Sequence, residues 1–216
     1  MRICSVPGCN NKHQGKGYCS KHYWQYSNYG YILERTYRDK NEIIIVDDIS
    51  RIILYNKLCD IIGETIIDTK YVNDIKDYKW FIQNDSGYVV TNYADRDNNR
   101  HQIIKLHQAI IALSGQKVPN GYEIDHKDRN ILNNLEDNLR VCTNIQNSQN
   151  RKKDVFSASK YKGVSWRKRD NKWQATITIN TKSIYLGVFS DEEEAAKKYN
   201  EAAKKYFGEF AVLNII

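Results

Sequence analysis

Residues 122 to 147 read YEIDHKDRNILNNLEDNLRVCTNIQN, and the fold and chemistry expected of the middle of the chain both turn on this stretch. Tyr122 to Ile124 form a short apolar run that predicts a strand, and it ends on a carboxylate beside an imidazole, Asp125 and His126. Asp128, Asn130, Asn133 and Asn134 then break any regular period, so a turn-rich loop follows. From about Leu139 the pattern permits a helix, with Asn147 on its second or third turn. Strand, loop and helix would make one small hairpin-like clamp. Within it Asp125 and Asn147 offer two hard oxygen ligands, suited to a magnesium-like ion that keeps several waters and completes its shell with phosphate. His126 is left to act as a base.

The same residues resemble a known family. Asp125-His126, then Asn138 in N-L-R, then Asn147 nine residues later look like the HNH nucleases of the ββα-metal fold, in the homing-endonuclease branch of phages and bacteria. The likeness runs from about Arg100 to Arg151 and takes in L-H-Q at Leu106 to Gln108, where the family commonly carries L-H-R. It implies a metal-dependent, site-specific DNA endonuclease. His126 would be the general base and Asn138 would orient its imidazole through the side-chain oxygen. Asp125 and Asn147 would hold one Mg²⁺ or Mn²⁺, and the products would be a 5′-phosphate and a 3′-hydroxyl.

Charge distribution supports an acidic partner. The formal net charge is +7 and the pI about 9.0. Residues 1–40 balance at +5, 41–100 at −4, 101–150 at 0 and 151–216 at +6, so both ends are basic and the middle is not. Such a balance licenses attraction to nucleic acid without specifying it. No apolar run reaches the ~18 residues that span a bilayer, and the N-terminus has no signal-peptide core. The chain reads as intracellular and cytoplasmic, in a bacterial or phage-infected cell.

Five cysteines, three of them before residue 20, argue for a metal site in a reducing compartment rather than a disulfide framework. Cys4, Cys9, Cys19 and His22 give C-x4-C followed by C-x2-H, a soft donor set for tetrahedral Zn²⁺, with His13 as a rival fourth ligand. So short a piece has no core without the ion. It resembles the small zinc fingers that precede some phage HNH proteins. Tyr23 to Tyr29, stopped by Gly30, reads as a short helix, with Trp24 either packed on the knuckle or free to stack on bases.

Between the knuckle and the clamp, Ile43 to Val46, Arg51 to Tyr55 and Ile61 to Ile67 read as antiparallel strands. Tyr71 to Trp80 reads as a short amphipathic helix with Val72, Ile75 and Trp80 inward. Gly87 to Tyr93 and Ile103 to Leu106 are further strands, and His107 lies where strand passes into helix. Acidic overall, this segment is a platform with no chemistry assigned.

Beyond Arg151 the pattern is renewed. Trp173, Ala175, Ile177 and Ile179 alternate with Gln174, Thr176, Thr178 and Asn180, so one face of a strand is buried and the other polar. Val164 and Trp166 fall to one side of the preceding strand, and Ser165, Arg167 and Arg169 to the other. Ser190 with Glu193 marks a helix start whose inward stripe is Ala195, Ala196, Tyr199, Ala203 and Tyr206. The order Y-K-G-V, W-x-A-x-I, Y-L-G-x-F, E-E-A-A and a final L-N, over Ser159 to Asn214, resembles the plant ethylene-response-factor domain, also called APETALA-two. That resemblance implies a sheet face set in the DNA major groove, carried here by Lys162, Ser165, Arg167, Arg169, Thr176, Thr178 and Tyr185.

The expected architecture is α+β. It comprises a zinc knuckle with a short helix (1–40), a mainly antiparallel platform leading into the nuclease motif (41–150, the motif at 100–150), a basic linker (151–158), and a three-stranded antiparallel sheet with one helix (159–216). Double-stranded DNA is the expected partner, with a monomer nicking one strand. The alternative is a non-catalytic, sequence-specific DNA-binding transcription regulator built on the same scaffold.

Overall fold

The structure is a computed structural model that describes residues 2–33, 35–36, 39–95, 100–149 and 158–216. Most of the expected basic linker lies outside these residues. The chain divides into two compact units, Met1–Ile104 and Lys105–Ile216. Both mix helices with small antiparallel sheets, which is the expected α+β class.

The first unit opens with the cysteine-rich loop and helix α1 (Ser20–Tyr29). Gly30 ends α1 in the left-handed region at φ 79°, returning its N–H to the Tyr26 carbonyl as a C-terminal glycine does. Strands β1 (Ile43–Val46), β2 (Ile49–Tyr55) and β3 (Ile61–Asp68) form one antiparallel sheet. Helix α2 (Val72–Ile75) follows, and β4 (Phe81–Ile82), β5 (Val89–Asp95) and β6 (Arg100–Lys105) form a second sheet. The helix expected from Tyr71 to Trp80 is thus a single turn. Val72, Ile75 and Trp80 are nonetheless all buried. Trp80 reaches the core from an extended segment, fixed by its indole N–H on the Ile75 carbonyl at 3.1 Å and by backbone bonds to Asn41.

The second unit begins with α3 (Leu106–Leu113), which buries Leu106, Ile110 and Ile111 along one face. Strands β7 (Tyr122–His126) and β8 (Leu139–Thr143) then pair antiparallel, and helix α4 (Asn144–Gln149) follows. Here the structure corrects the expectation of a helix from Leu139. L-R-V-C-T pairs with Y-E-I-D-H over five positions without a clean alternation of its own, and the backbone hydrogen bonds of a strand pair outweigh a weak helical period. Asn147 consequently sits on the first turn of α4.

The last three strands, β9 (Val164–Arg167), β10 (Lys172–Ile179) and β11 (Lys182–Phe189), form a sheet in the order β11-β10-β9, covered by α5 (Glu192–Phe207). Ala195, Ala196, Ala202 and Ala203 let α5 lie close on the sheet, with Tyr199 and Phe207 filling the gaps. Phe207, not the expected Tyr206, closes the inward stripe; Tyr206 is exposed. The N-cap is Asp191, whose carboxylate accepts from Glu194 N at 2.9 Å, one residue beyond the expected Ser190. Gly163 is demanded by contact. At φ 74°, a Cβ there would lie 2.0 Å from the Tyr199 ring and 2.6 Å from the Thr176 carbonyl. Asn214 ties the chain end down, exchanging side-chain bonds with the Lys162 backbone and backbone bonds with Asn200.

Candidate nuclease centre and nucleic-acid interface

The β7–β8 register sets Asp125 opposite Arg140 and His126 opposite Leu139. Opposite charges directly across a strand pair attract, and here both partners are buried. Arg140 Nη2 and Nε donate to the same carboxylate oxygen, Asp125 Oδ2, at 2.7 and 3.0 Å. Alternation sends His126 to the other side of the strand from Asp125. Its ring meets Asn134 Oδ1 through Nε2 at 3.2 Å and the His107 ring edge-on, with centroids 5.2 Å apart. Burial pulls the His126 pKa below the ordinary histidine value, against the Asn134 hydrogen bond and the charges of Asp128 and Asp125, which raise it. The imidazole is therefore neutral at neutral pH, the form a general base needs.

Asn138 does not meet that imidazole. Its Oδ1 accepts from Asp128 N at 3.1 Å, and its Nδ2 donates to Asp128 Oδ1 and to the Asn133 carbonyl at 2.9 and 2.8 Å. Asn130 N and Asn133 Nδ2 also bond the Asp128 carboxylate, so residues 127–138 form a loop knitted by short amide and carboxylate side chains. The amide that meets the imidazole is that of Asn134, not that of Asn138. The sequence carried N-N at 133–134 only as turn residues, and nothing in the spacing told which amide would turn inward.

Asn147 Nδ2 donates to Glu123 Oε2 at 2.6 Å. Glu123 and Asp125 leave the same side of β7, so α4 delivers Asn147 to the face that carries Asp125. A carboxylate oxygen and an amide oxygen are the donor types a hard divalent cation takes, and one cation of this kind needs few protein ligands when water and phosphate supply the rest. Glu123 and Arg140, the partners of Asn147 and Asp125, were missed by sequence reading; both contacts follow from pairing 122–126 with 139–143.

At the N-terminus the ligand atoms of Cys4, Cys9, Cys19 and His22 lie within 4.8 Å of one another. Cys4 Sγ is 3.1 Å from His22 Nδ1, and the Cys9 and Cys19 sulfurs are 3.9 Å apart. Two thiolates bound to one tetrahedral zinc sit about 3.8 Å apart, from a Zn–S length of roughly 2.3 Å, so the set fits that ion. Burial raises the Cys4 thiol, but hydrogen bonds with His22, the Val6 and Cys19 backbone and Cys9 outweigh it and bring the pKa to about 6. A thiolate ready at neutral pH is the state a metal takes. His13 is occupied elsewhere, its Nε2 accepting from Gly17 N at 3.0 Å. Trp24 stands exposed on α1, edge-on to Tyr29.

On the C-terminal sheet, pairing aligns Ser165 with Gln174, Arg167 with Lys172, and Thr176 with Tyr185. A bulge between Ala175 and Thr176 keeps Tyr185 on this face, where it is 55 % exposed. Ser165, Arg167, Thr176, Thr178 and Tyr185 thus share one polar surface, joined by Lys172 and Gln174, which the sequence reading did not single out. Arg169 lies past the end of β9, and both Arg167 and Arg169 reach the Asp170 carboxylate, at 3.1 and 2.9 Å. Lys162 is placed differently from expectation: its ammonium donates to the Gln149 carbonyl at 2.7 Å, in contact with the end of α4. Burial, with Arg129 nearby, lowers its pKa.

With this geometry in place, comparison with known proteins separates the two halves of the second unit. Residues 105–149 match the sequence profile of HNH endonucleases, and residues 159–209 match that of the AP2 domain. An uncharacterized HNH endonuclease of Acanthamoeba polyphaga mimivirus is 34% identical over 143 residues, covering 66% of this chain and 70% of that protein. Protein 3.8 of Escherichia phage T7 is 43% identical over 65 residues, 30% of this chain and 54% of its own length. An AP2-like ethylene-responsive transcription factor of Arabidopsis thaliana is 47% identical over 68 residues, 30% of this chain but 12% of the plant protein. The chain belongs to the HNH endonuclease family, and it carries an AP2 domain after the nuclease segment. Among the described residues, no helix is long and apolar enough to cross a membrane.

Proposed function

We propose that the protein is a metal-dependent, site-specific DNA endonuclease of the homing type, acting inside the cell as a monomer that nicks one strand. The observation that carries this reading is the buried polar set on β7, β8 and the loop between them: Asp125, His126, Asn134 and Arg140 are each enclosed and each partnered, in the segment that matches HNH endonucleases. Burying polar groups costs desolvation that only fixed partners offset, and departures of this kind from an apolar core are expected at functional sites.

In this reading the chain comprises a knuckle at 1–40, a platform and nuclease motif at 41–150, a linker at 151–158 and the AP2 domain at 159–216. His126 takes a proton from the attacking water, and Asn134 fixes the ring for that transfer. Asp125 and Asn147 hold Mg²⁺ or Mn²⁺, which when bound offsets charge on the scissile phosphate and the leaving 3′ oxygen. Products carry a 5′-phosphate and a 3′-hydroxyl. Cys4, Cys9, Cys19 and His22 hold a structural Zn²⁺ that folds the knuckle. Ser165, Arg167, Arg169, Thr176, Thr178 and Tyr185 bind the duplex, positively charged and polar groups facing phosphates and base edges.

The test is incubation with supercoiled plasmid carrying the protein's own flanking genomic DNA, with Mg²⁺ and with chelator, beside His126→Ala. Open circles should form only with wild type and metal, and the variant should cleave about 10²- to 10⁴-fold more slowly with unchanged DNA binding. Linear product would mean two cuts. A gel shift with no cleavage would hand the protein to the regulator reading.

A further inference from the structure

Arg140 has more bonds than a cross-strand ion pair requires. Its Nε and Nη2 both fall on Asp125 Oδ2, which clamps one carboxylate oxygen and leaves Oδ1 outside that clamp. Its remaining terminal nitrogen, Nη1, crosses to the AP2 domain and donates to the Glu209 carbonyl at 2.8 Å. The guanidinium also lies on the Phe210 ring, 3.9 Å from its centroid. Phe210 in turn packs on the AP2 core formed by Ile177, Tyr199, Ala203 and Phe207. Every part of the guanidinium is therefore engaged, half by the nuclease hairpin and half by the turn that follows α5. At 9% side-chain exposure for both Arg140 and Asp125, solvent does little to loosen either end.

We propose that Arg140 is a positioning residue for the nuclease reaction: it holds Asp125 in the orientation that binds the divalent cation, and it is itself held by Glu209 and Phe210, so that the seating of the AP2 domain sets the metal affinity of the nuclease site. This rests on the nuclease reading above. Its physical basis is that a ligating carboxylate owes its orientation to the groups hydrogen-bonded behind it, and loss of such a group commonly weakens metal binding by about 10- to 100-fold. A guanidinium restrained on a ring and a backbone carbonyl supplies that support at little further entropic cost, since its planar fork is already set. The same guanidinium is a cation, and a mere competitor for Asp125 would act in the opposite direction. The two roles differ in sign.

The experiment is an Mn²⁺ titration of the zinc-loaded full chain, with free Mn²⁺ followed by its electron paramagnetic resonance, and Asp125→Asn defining which binding belongs to the nuclease site. Arg140→Gln should weaken that site by about tenfold or more. Phe210→Leu keeps the AP2 core apolar while removing the ring beneath the guanidinium, and should weaken it by roughly three- to tenfold. Phe210→Tyr, which keeps the ring, should restore wild-type affinity. Throughout the Phe210 pair DNA gel-shift affinity should stay at the wild-type value, and Mn²⁺ binding is read well below each variant's thermal midpoint, so that a modest loss of stability in Phe210→Leu does not itself lower it. Unchanged or tighter Mn²⁺ binding in Phe210→Leu overturns the proposal while leaving the nuclease reading intact. Tighter binding in Arg140→Gln overturns it in favour of competition. A wild-type protein with no Asp125-dependent Mn²⁺ site overturns both readings together.

Discussion

The β7–β8 hairpin and the β9–β10–β11 sheet are both antiparallel, yet they place their polar side chains oppositely. In the hairpin Asp125, His126 and Arg140 are buried, with His107 and Asn134 enclosed beside them. In the sheet the buried positions are Val164, Ala175 and Ile177, while Ser165, Thr178 and Tyr185 face solvent, as does Arg169 just past β9. A buried polar group gives up water and must be repaid by fixed partners; an exposed one keeps water until a ligand displaces it. Fixed orientation in a low dielectric suits a group that moves protons or holds a cation. Exposed, adaptable donors suit a surface that meets a phosphate backbone. The contrast assigns chemistry to one pairing and grip to the other, and it can be tested from both sides.

The largest effect should come from the amide in the buried set. Asn134→Ala should slow cleavage by roughly a hundredfold at unchanged DNA affinity, because the imidazole loses the partner that fixes it. Asn134→Asp retains an acceptor oxygen and should recover most of the rate. Its carboxylate also favours the imidazolium, so the acid limb of the pH–rate profile should move to higher pH. Asn138→Ala should instead lower thermal stability by about 1–3 kcal/mol, since it strips partners from Asp128 and Asn133 in the loop. Rate profiles and melting curves for the three variants decide the matter; the reverse assignment of rate and stability would restore Asn138 as the orienting residue.

A smaller and different effect belongs to the exposed face. Arg167 and Arg169 share Asp170 in the free protein; Arg169 is exposed, its pair is worth about 0–1 kcal/mol, and a phosphate can replace the carboxylate there. Replacing both with Gln should weaken DNA binding by about tenfold and reduce the slope of log affinity against log salt by about two. Cleavage at saturating protein should persist. An unaltered slope would put the DNA on another surface and break the comparison at its outer half.

How far this arrangement was legible in the sequence follows from the same contrast. Alternation over Trp173 to Ile179 gave the buried face of β10 because apolar and polar residues divide there by burial, and the resemblance of Y-K-G-V and Y-L-G-x-F supplied the rest of the domain. The Cys3His cluster was legible because ligand spacing is local. The nuclease hairpin was read only in part. Asp125 and His126 announced a site, but Leu139 to Thr143 hid a strand, since a segment that buries Leu139, Arg140 and Cys142 together shows no clean period of two. Without that strand the register was unknown, and with it the pairing of Asp125 with Arg140 and the reach of Asn147 to Glu123. Which of several loop amides meets a histidine depends on the path of residues 127–138, and that path is set by side-chain bonds to Asp128 that no periodicity records.

The smallest effect concerns what the buried set costs. Burial holds the His107 pKa down at about 3, with His126 and Lys105 adding to the depression, so the folded ring stays neutral through the mildly acidic range. In the unfolded chain the same histidine titrates near 6.5. Between those values the unfolded state binds the proton and the folded state does not, so stability is present above about pH 6.5 and is lost as pH falls toward 3. The upper bound is about 1.4 kcal/mol per pH unit for one such group, and His126, also depressed, adds in the same direction. His107→Phe keeps a ring against His126 and removes one of the two protons. Urea-unfolding midpoints at pH 7.5 and pH 5, followed through Trp166 and Trp173 in the same unit, should therefore fall less on acidification in the variant than in wild type. An equal fall in both would show that His107 is hydrated and charged in the folded protein, and the buried half of the comparison would lose one of its members.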